Sequence, residues 1–181
     1  MGEILLSPAP LAPVSLAEVK AFLRIAASDE DALLAGLVRA AADTCEAFLG
    51  RVLIARDVAE LIAASTAWTR LGAAPVRSID GAAAIGADGS AEALPVSSYS
   101  IDIDAAGEGW VRLLEPRPGK RLRIGYSAGM AAEPNGVPEA VRQGIVRLAA
   151  HLYVHREAAE AGPPPAAVTA LWRPWRRLRL G

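Results

Sequence analysis

A pair of histidines gives the clearest spacing for chemistry in this sequence. His151 and His155 lie four residues apart in a stretch predicted to be helical, so both rings would share one helix face, as zinc ligands can. Glu157 follows nearby, but the His-Glu-x-x-His order is absent and these are the only two histidines. We interpret them as polar residues of an amphipathic helix and expect neither a metal site nor a cofactor.

Three further residues could take part in catalysis, and each has a simpler interpretation. Cys45 could be a nucleophile, but it falls on the apolar stripe of a predicted helix, and buried cysteines are usually inert. Asp102 and Asp104 share one side of a predicted strand, as an acid/base pair would, yet that side is the polar one and solubility explains it. The sequence contains no glycine motif for phosphate binding. We therefore expect no catalytic residue and no enzyme activity.

The C-terminal segment combines tryptophan and arginine in a way that is typical of interfaces. Large apolar side chains alternate with guanidinium groups over residues 171–180, and a small core is not expected to hide them. Trp and Arg often supply most of the binding energy at an interface. The predicted docking residues are Leu171, Trp172, Arg173, Trp175, Arg176, Arg177, Leu178 and Arg179.

Two other interpretations of this segment stay open at the level of sequence. It could be a solvated, partly disordered tail, as termini often are, although two exposed tryptophans would then be costly. It could also bind nucleic acid, with arginines on phosphates and tryptophans stacked on bases. In that case the affinity would fall steeply with salt.

Composition indicates a globular protein whose charge is unevenly distributed. The 181 residues are 52% hydrophobic and 22% charged, enough for one core without a metal or a disulfide. The net charge is −1, but four arginines lie in the last nine residues, so the first 172 residues carry −5. An acidic body with a basic end is typical of a binding protein. The single cysteine, and the lack of a signal peptide or a long apolar run, predict a protein that stays where it is made.

Helical periodicity appears at both ends of the chain. Ser15 and Glu18 form a capping box that would begin a first helix, and a second helix follows that would end at Gly50. A third, long helix is predicted over residues 138–162, because apolar residues recur there at steps of four and three and Gly162 precedes three prolines.

Between the helices the apolar period changes to two. Alternation over residues 99–104 and 121–126, with turn signals such as Asp88-Gly89, predicts antiparallel strands. The predicted fold class is therefore α+β: a helical bundle of two N-terminal helices and one long C-terminal helix, with an inserted small antiparallel β lobe and an extended C-terminal arm. The predicted parts are an extended leader at 1–14, a helical core at 15–50 and 138–162, the β lobe at 52–127 and the docking arm at 163–181.

Several segments, taken in order and spacing, resemble a known family. Residues 14–25, 29–34 and 45–51 look like the opening of head–tail connector proteins of long-tailed phages and gene transfer agents. Residues 74–80, 88–89, 99, 124–129 and 137–157 resemble the longer version of that family, which carries a β insertion.

The resemblance implies a structural adaptor. It implies a ring of identical subunits, with twelve as the expected number, that lies under the portal at the capsid vertex and continues the DNA channel to the tail. The implied partners are the portal protein, a tail-side stopper protein and further copies of the chain, while DNA passes without sequence-specific contact and no membrane is involved. The implied location is the neck of a phage or gene transfer agent particle, assembled in the bacterial cytoplasm.

The resemblance also implies that helices of neighbouring subunits pack together to form the ring. The predicted ring-packing residues are the apolar residues of the three helices: Phe22, Leu34, Leu37, Val141, Ile145, Leu148 and Leu152.

Overall fold

The computed structural model describes residues 3–117, 121–156 and 162–177, and the chain forms two compact units. The first, the β unit, consists of Met1–Pro10 and Ala55–Met130. The second, the helical unit, consists of Leu11–Ile54 and Ala131–Gly181. The chain alternates between the units, so each is built from two separate stretches.

Helices and 3-10 turns form the described part of the helical unit. They are α1 Leu16–Leu23, α2 Asp31–Leu49, α3 Glu139–Val154 and α4 Ala166–Trp172, with 3-10 turns at Pro134–Gly136 and Arg173–Trp175. The Ser15 hydroxyl accepts a hydrogen bond from the Glu18 N–H at 3.2 Å, and the Glu18 carboxylate accepts one from the Ser15 N–H at 2.7 Å. α2 ends at Gly50, whose φ of +62° suits glycine. The predicted capping box and helix stop are therefore confirmed.

The core of the helical unit lies between α2 and α3. Each helix buries residues spaced by three or four positions, as an amphipathic helix should. The buried residues of α2 are Leu34, Val38, Ala41, Cys45 and Leu49. Those of α3 are Val141, Gly144, Ile145, Val146, Leu148, Ala149 and Ala150.

The third helix is shorter than the sequence predicts. α3 ends at Val154, and the following His155 has left the helical region with φ −105° and ψ 21°. Val154 through Arg156 are exposed, so a further turn would bury no apolar surface to offset its loss of conformational entropy. This end is held to the start of α2, because the Tyr153 hydroxyl donates to the Glu30 carboxylate. The prediction of a single helix over 138–162 is wrong for residues 155–156 and 162, while residues 157–161 lie outside the described part of the chain.

Two antiparallel sheets form the described part of the β unit. The strands are β1 Glu3–Leu6, β2 Arg56–Ala63, β3 Thr69–Arg70, β4 Val76–Ile85, β5 Ala91–Ala93, β6 Tyr99–Ile103, β7 Gly109–Leu113 and β8 Arg121–Ala128. The larger sheet has the order β1-β2-β8-β4-β5 and the smaller has the order β3-β7-β6. The predicted α+β class, with antiparallel β structure, is confirmed.

The strands agree with the sequence where alternation is strong. β6 and β8 coincide with the two alternating stretches, and the Asp88-Gly89 turn joins β4 to β5 with Gly89 at φ +82°. Within the leader at 1–14, which was predicted only to be extended, Glu3–Leu6 also pairs with β2 as a strand on the edge of the larger sheet. Its backbone gains hydrogen bonds there that solvent would otherwise supply.

A buried carboxylate links parts of the β unit. Glu60 on β2 is almost fully buried, and its Oε2 accepts hydrogen bonds from the Tyr126 hydroxyl at 2.7 Å and the Gly72 N–H at 2.8 Å. The Tyr126 oxygen in turn accepts from the Ala73 N–H at 3.1 Å. These bonds connect β2 and β8 to the segment that follows β3. A buried carboxylate needs such partners, so we assign this cluster to stability.

No helix in the described ranges is long and apolar enough to cross a membrane.

Candidate docking site

The C-terminal segment folds back on its own helical unit. Residues 166–172 form α4, where an extended arm was predicted, and that prediction is wrong. The Trp172 side chain at the end of α4 is fully buried; its indole N–H donates to the Val141 carbonyl oxygen at 3.1 Å and its ring centroid lies 5.7 Å from that of Phe48. A tilted aromatic pair of this kind adds to the apolar burial. Trp172 is therefore an anchor inside the protein.

A glycine on α3 makes room for this tryptophan. A Cβ built on Gly144 would lie 2.8 Å from the Trp172 Cδ1 and Cε2 atoms, closer than real Cβ contacts come. Only glycine, which has no side chain, leaves enough room for the indole of Trp172 at this position. The sequence contained a usable signal, because a lone glycine in a helical pattern often has a packing reason.

A second anchor follows five residues later. The Arg177 N–H donates to the Leu49 carbonyl oxygen at 2.8 Å, at the end of α2, and Arg177 is buried. The guanidinium of Arg176 lies 5.5 Å from the Phe48 ring centroid, within cation–π range. The backbone between Trp172 and Arg177 is therefore fixed at both ends.

The 3-10 turn between the two anchors presents the exposed part of the segment. Trp175 is 38% exposed, and Arg173 and Arg176 are exposed beside it in sequence. We call Arg173, Trp175 and Arg176 the presented residues. An aromatic side chain between two cations can contact an acidic partner surface that also offers an apolar pocket.

The structure divides the predicted docking residues into three groups. Trp172 and Arg177 are buried, so the expectation that the small core could not hide these side chains is wrong for both. Leu171 is half-buried, whereas Arg173, Trp175 and Arg176 reach the surface. Leu178 and Arg179 lie outside the described residues.

Most of the predicted ring-packing residues belong to the core of the helical unit. Leu34, Val141, Ile145 and Leu148 are buried, so their prediction as contacts to a neighbouring subunit is wrong for this structure. Their period marked an apolar face correctly, but period alone does not say whether that face meets the same chain or another. Leu37 and Leu152 are half-buried, and Phe22 is 51% exposed.

A second apolar stripe on α2 remains at the surface. Leu33 is 42% exposed, Leu37 is half-buried and Ala40 is exposed, at steps of four and three. The sequence analysis missed Leu33 because its neighbour Leu34 carries the core-facing stripe. We call Phe22, Leu33, Leu37 and Ala40 the outer helical residues.

The residues considered for chemistry form no reactive site. The His151 and His155 rings contact each other at a tilt, with centroids 4.2 Å apart, and the described residues hold no group of three potential ligands that could bind a metal. Burial, with a contribution from the nearby Glu46, raises the pKa of the Cys45 thiol far above its ordinary value, so the thiolate is not formed near neutral pH. Asp104 accepts hydrogen bonds from the Ala106 and Glu108 N–H groups and so stabilises the turn between β6 and β7.

Comparison with known proteins agrees with the sequence resemblance. Residues 13–77 match the family model described as phage gp6-like head-tail connector protein. The predicted resemblance to head–tail connectors is confirmed. A search of curated protein sequences gave no match.

Solved structures resemble this chain over nearly its whole length. One is a chain in the neck of an empty gene transfer agent (GTA) particle computed with C6 symmetry, at 26% identity and a TM-score of 0.81, covering 99% of this chain and 97% of that one. Another, in the virion of a native GTA particle, has 26% identity, a TM-score of 0.79 and the same coverage. A third, in the neck of a native GTA particle computed with C12 symmetry, has 25% identity and a TM-score of 0.72, covering 97% of each chain.

Proposed function

We propose that this chain is a structural adaptor in the neck of a gene transfer agent or phage particle. It forms a ring that lies between capsid and tail and continues the channel for DNA. The observation that carries this proposal is the likeness to GTA neck chains, which covers 99% of this chain and 97% of its counterpart. The family model over residues 13–77 supports the same function independently of the fold.

The adaptor has no catalytic role in this proposal. The two histidine rings contact each other at a tilt, the Cys45 thiol is buried, and the described residues assemble no nucleophile, base and oxyanion donor. The first 172 residues carry a net charge of −5, which suits a wall past which DNA slides without sequence-specific contact. The nucleic-acid-binding alternative loses support, because Trp172 and Arg177 are buried and unable to stack on bases or contact phosphates.

Twelve copies form the ring, in keeping with the C12 symmetry of one matching neck. We assign the contact between neighbouring helical units to the outer helical residues Phe22, Leu33, Leu37 and Ala40, in place of the buried residues of the core. Exposed large apolar side chains of a monomer lower the free energy when a partner covers them. The test is negative-stain electron microscopy of Leu33→Asp, with the adjacent exposed Ala32→Asp as the matched control.

Leu33→Asp should prevent ring formation while Ala32→Asp leaves the rings intact, with circular dichroism showing that both variants are folded. Rings of normal yield from Leu33→Asp would contradict this assignment.

The presented residues dock the ring onto the portal protein. Arg173 and Arg176 would meet acidic groups, while Trp175 fills an apolar pocket between them. A stopper protein binds the tail side of the ring, and the particle is assembled in the bacterial cytoplasm. Point substitutions are required to test the docking, because a deletion from Leu171 onward would also remove the anchor Trp172.

The variant Arg173→Glu/Trp175→Ala tests the docking proposal. It should reduce co-sedimentation with portal-bearing capsids by about tenfold or more, since loss of one hot-spot aromatic residue costs about 2 kcal/mol. The matched control is Arg147→Glu, which reverses an exposed charge on α3 of the same unit. Equal retention of both variants on the capsids would refute the docking role of the turn.

A further inference from the structure

The β unit has two exposed apolar strand edges. β1 pairs with β2 on one side, and the described residues place no strand on its other side. All four residues of β1 are exposed; Leu5, at 62%, is the most exposed of its large apolar side chains. Natural proteins usually protect such an edge with charge, proline or a covering element, and an exposed apolar edge strand is a template for pairing with another chain.

The second apolar edge is β6 of the smaller sheet. β6 pairs with β7, and no described strand lies beyond it. Ile101 is 45% exposed and Ile103 is also exposed on the same side of the strand. The pairing of β6 with β7 continues one position beyond the two strands, because the Leu114 N–H donates to the Ser98 carbonyl oxygen just before β6.

The two edges lie at different ends of the β unit. β1 is the outermost strand beyond β2, and its Ile4 side chain packs over Gly72 just after β3. β6 instead contacts β4, which is separated from β2 by β8 in the larger sheet. The β unit therefore carries one apolar edge at each end.

A cyclic ring requires two different contact surfaces on each subunit, and the two apolar edges supply such surfaces. In a ring each subunit meets its two neighbours through two different surfaces, one complementary to the other, whereas a twofold dimer uses one surface twice. The chains that resemble this one lie in necks of C6 and C12 symmetry. Glu3 on β1 and Asp102 on β6 are both acidic, so apolar burial and backbone hydrogen bonds, more than charge attraction, would hold the two edges together.

We propose that the β1 edge of one copy joins the β6 edge of the next copy, so that the β units form a second, continuous contact around the ring. This inference rests on the proposed ring. It assigns Leu5 and Leu6 to one surface and Ile101 and Ile103 to the complementary surface, and the partner of each surface is another copy of this chain.

Cysteine cross-linking tests the proposal even where other contacts also hold the ring. The variant Leu5→Cys/Ile101→Cys is assembled with capsids or at high protein concentration and treated with a bismaleimide long enough to tolerate a shift in strand register. Wild-type protein is the background control, because its single cysteine, Cys45, is buried. The expected product is a ladder of covalent oligomers that ends at the closed ring.

The single-cysteine variants show whether the two surfaces are complementary. Leu5→Cys alone and Ile101→Cys alone should give no covalent dimers, and an equal mixture of the two should give covalent dimers and nothing larger. Dimers from one single variant alone would mean that an edge pairs with itself, and this would overturn the proposal.

A control on β5, the second edge strand of the larger sheet, separates two possible partners. Ala91→Cys on β5 replaces Ile101→Cys in the double variant, and no ladder is expected from it. A ladder with this variant and none with the original pair would overturn the assignment of β6. If rings are seen by electron microscopy but no variant cross-links, the edge contact is wrong and the adaptor function stands; if wild-type protein forms no ring on capsids, the proposed function itself fails.

Discussion

The variant Trp172→Ala tests whether the C-terminal segment is part of the folded body. A buried tryptophan removes about 150–250 Å² from water, which at about 25 cal/mol per Å² corresponds to about 4–6 kcal/mol as an upper value. Trp→Ala substitutions in cores cost about 3–5 kcal/mol, because surrounding atoms partly close the cavity. The indole is fully buried and bonded to the Val141 carbonyl, so we expect a loss in this range. That loss is a large share of the about 5–15 kcal/mol that holds a typical domain folded.

The assay is urea denaturation followed by far-ultraviolet circular dichroism, which does not depend on the tryptophan signal. Two variants calibrate the result. Trp172→Phe keeps an aromatic ring but loses the indole hydrogen bond, so it should cost about 1–2 kcal/mol. Trp175→Ala removes a side chain that is 38% exposed and should cost at most about 1 kcal/mol.

The order of the free-energy losses in the three variants shows whether the C-terminal segment packs on the helical unit. If Trp172→Ala costs less than about 1 kcal/mol, or no more than Trp175→Ala, the segment is not packed on the helical unit in solution. The division into anchors and presented residues would then be wrong, whatever the outcome of the docking experiment.

Three further outcomes follow from contacts of the helical unit. Gly144→Ala should destabilise the protein by about 1–3 kcal/mol, because the new Cβ meets the indole of Trp172, and it should speed proteolysis of the C-terminal segment. In a helix with free space at this position, Gly→Ala would instead stabilise by about 1 kcal/mol. Burial would raise the pKa of Glu18, but hydrogen bonds from Ser15 and the Arg142 charge lower the pKa overall. Its stabilisation is therefore present above the unfolded pKa, about 4 for Glu, and is lost as pH falls from there through the lower folded pKa, so Glu18→Gln should flatten the fall in stability on the acid side of about pH 4. Cys45, with its raised pKa, should resist a thiol reagent at about pH 8 until urea unfolds the protein.

Local signals in the sequence were sufficient for the parts of the fold that local chemistry determines. The capping box at Ser15 needs only two residues three positions apart, and the stop at Gly50 needs only a glycine that accepts positive φ. β6 and β8 followed from alternation; in β8 every second residue is buried, whereas in β6 only Tyr99 is buried and Ile101 and Ile103 are exposed. β4 gave a weaker signal, because its alanines and Gly81 have little strand preference and pairing with β8 supplies its stability.

The element against which each apolar surface packs could not be predicted in the same way. Leu33 and Leu34 are adjacent leucines on α2, yet one is 42% exposed and the other is buried. Period identified the stripe that contains Leu34, but it could not show whether that stripe packs against α3 of the same chain or against another copy. The same limit applied to Trp172, whose burial depends on a groove that exists only when Gly144 of α3 is in place.

The two anchors, which flank the turn with the presented residues, should also strengthen docking. Ordering a flexible side chain at an interface costs about 0.5–1.5 kcal/mol, and a disordered tail would incur this cost for each side chain that becomes ordered on binding. Trp172 and Arg177 fix the backbone on either side of the turn before any partner arrives, so much of the ordering has already occurred. A variant that frees an anchor, such as Gly144→Ala, should therefore weaken capsid binding although it leaves Arg173 and Trp175 unchanged. A variant that keeps both anchors should weaken docking only through the contacts that it removes.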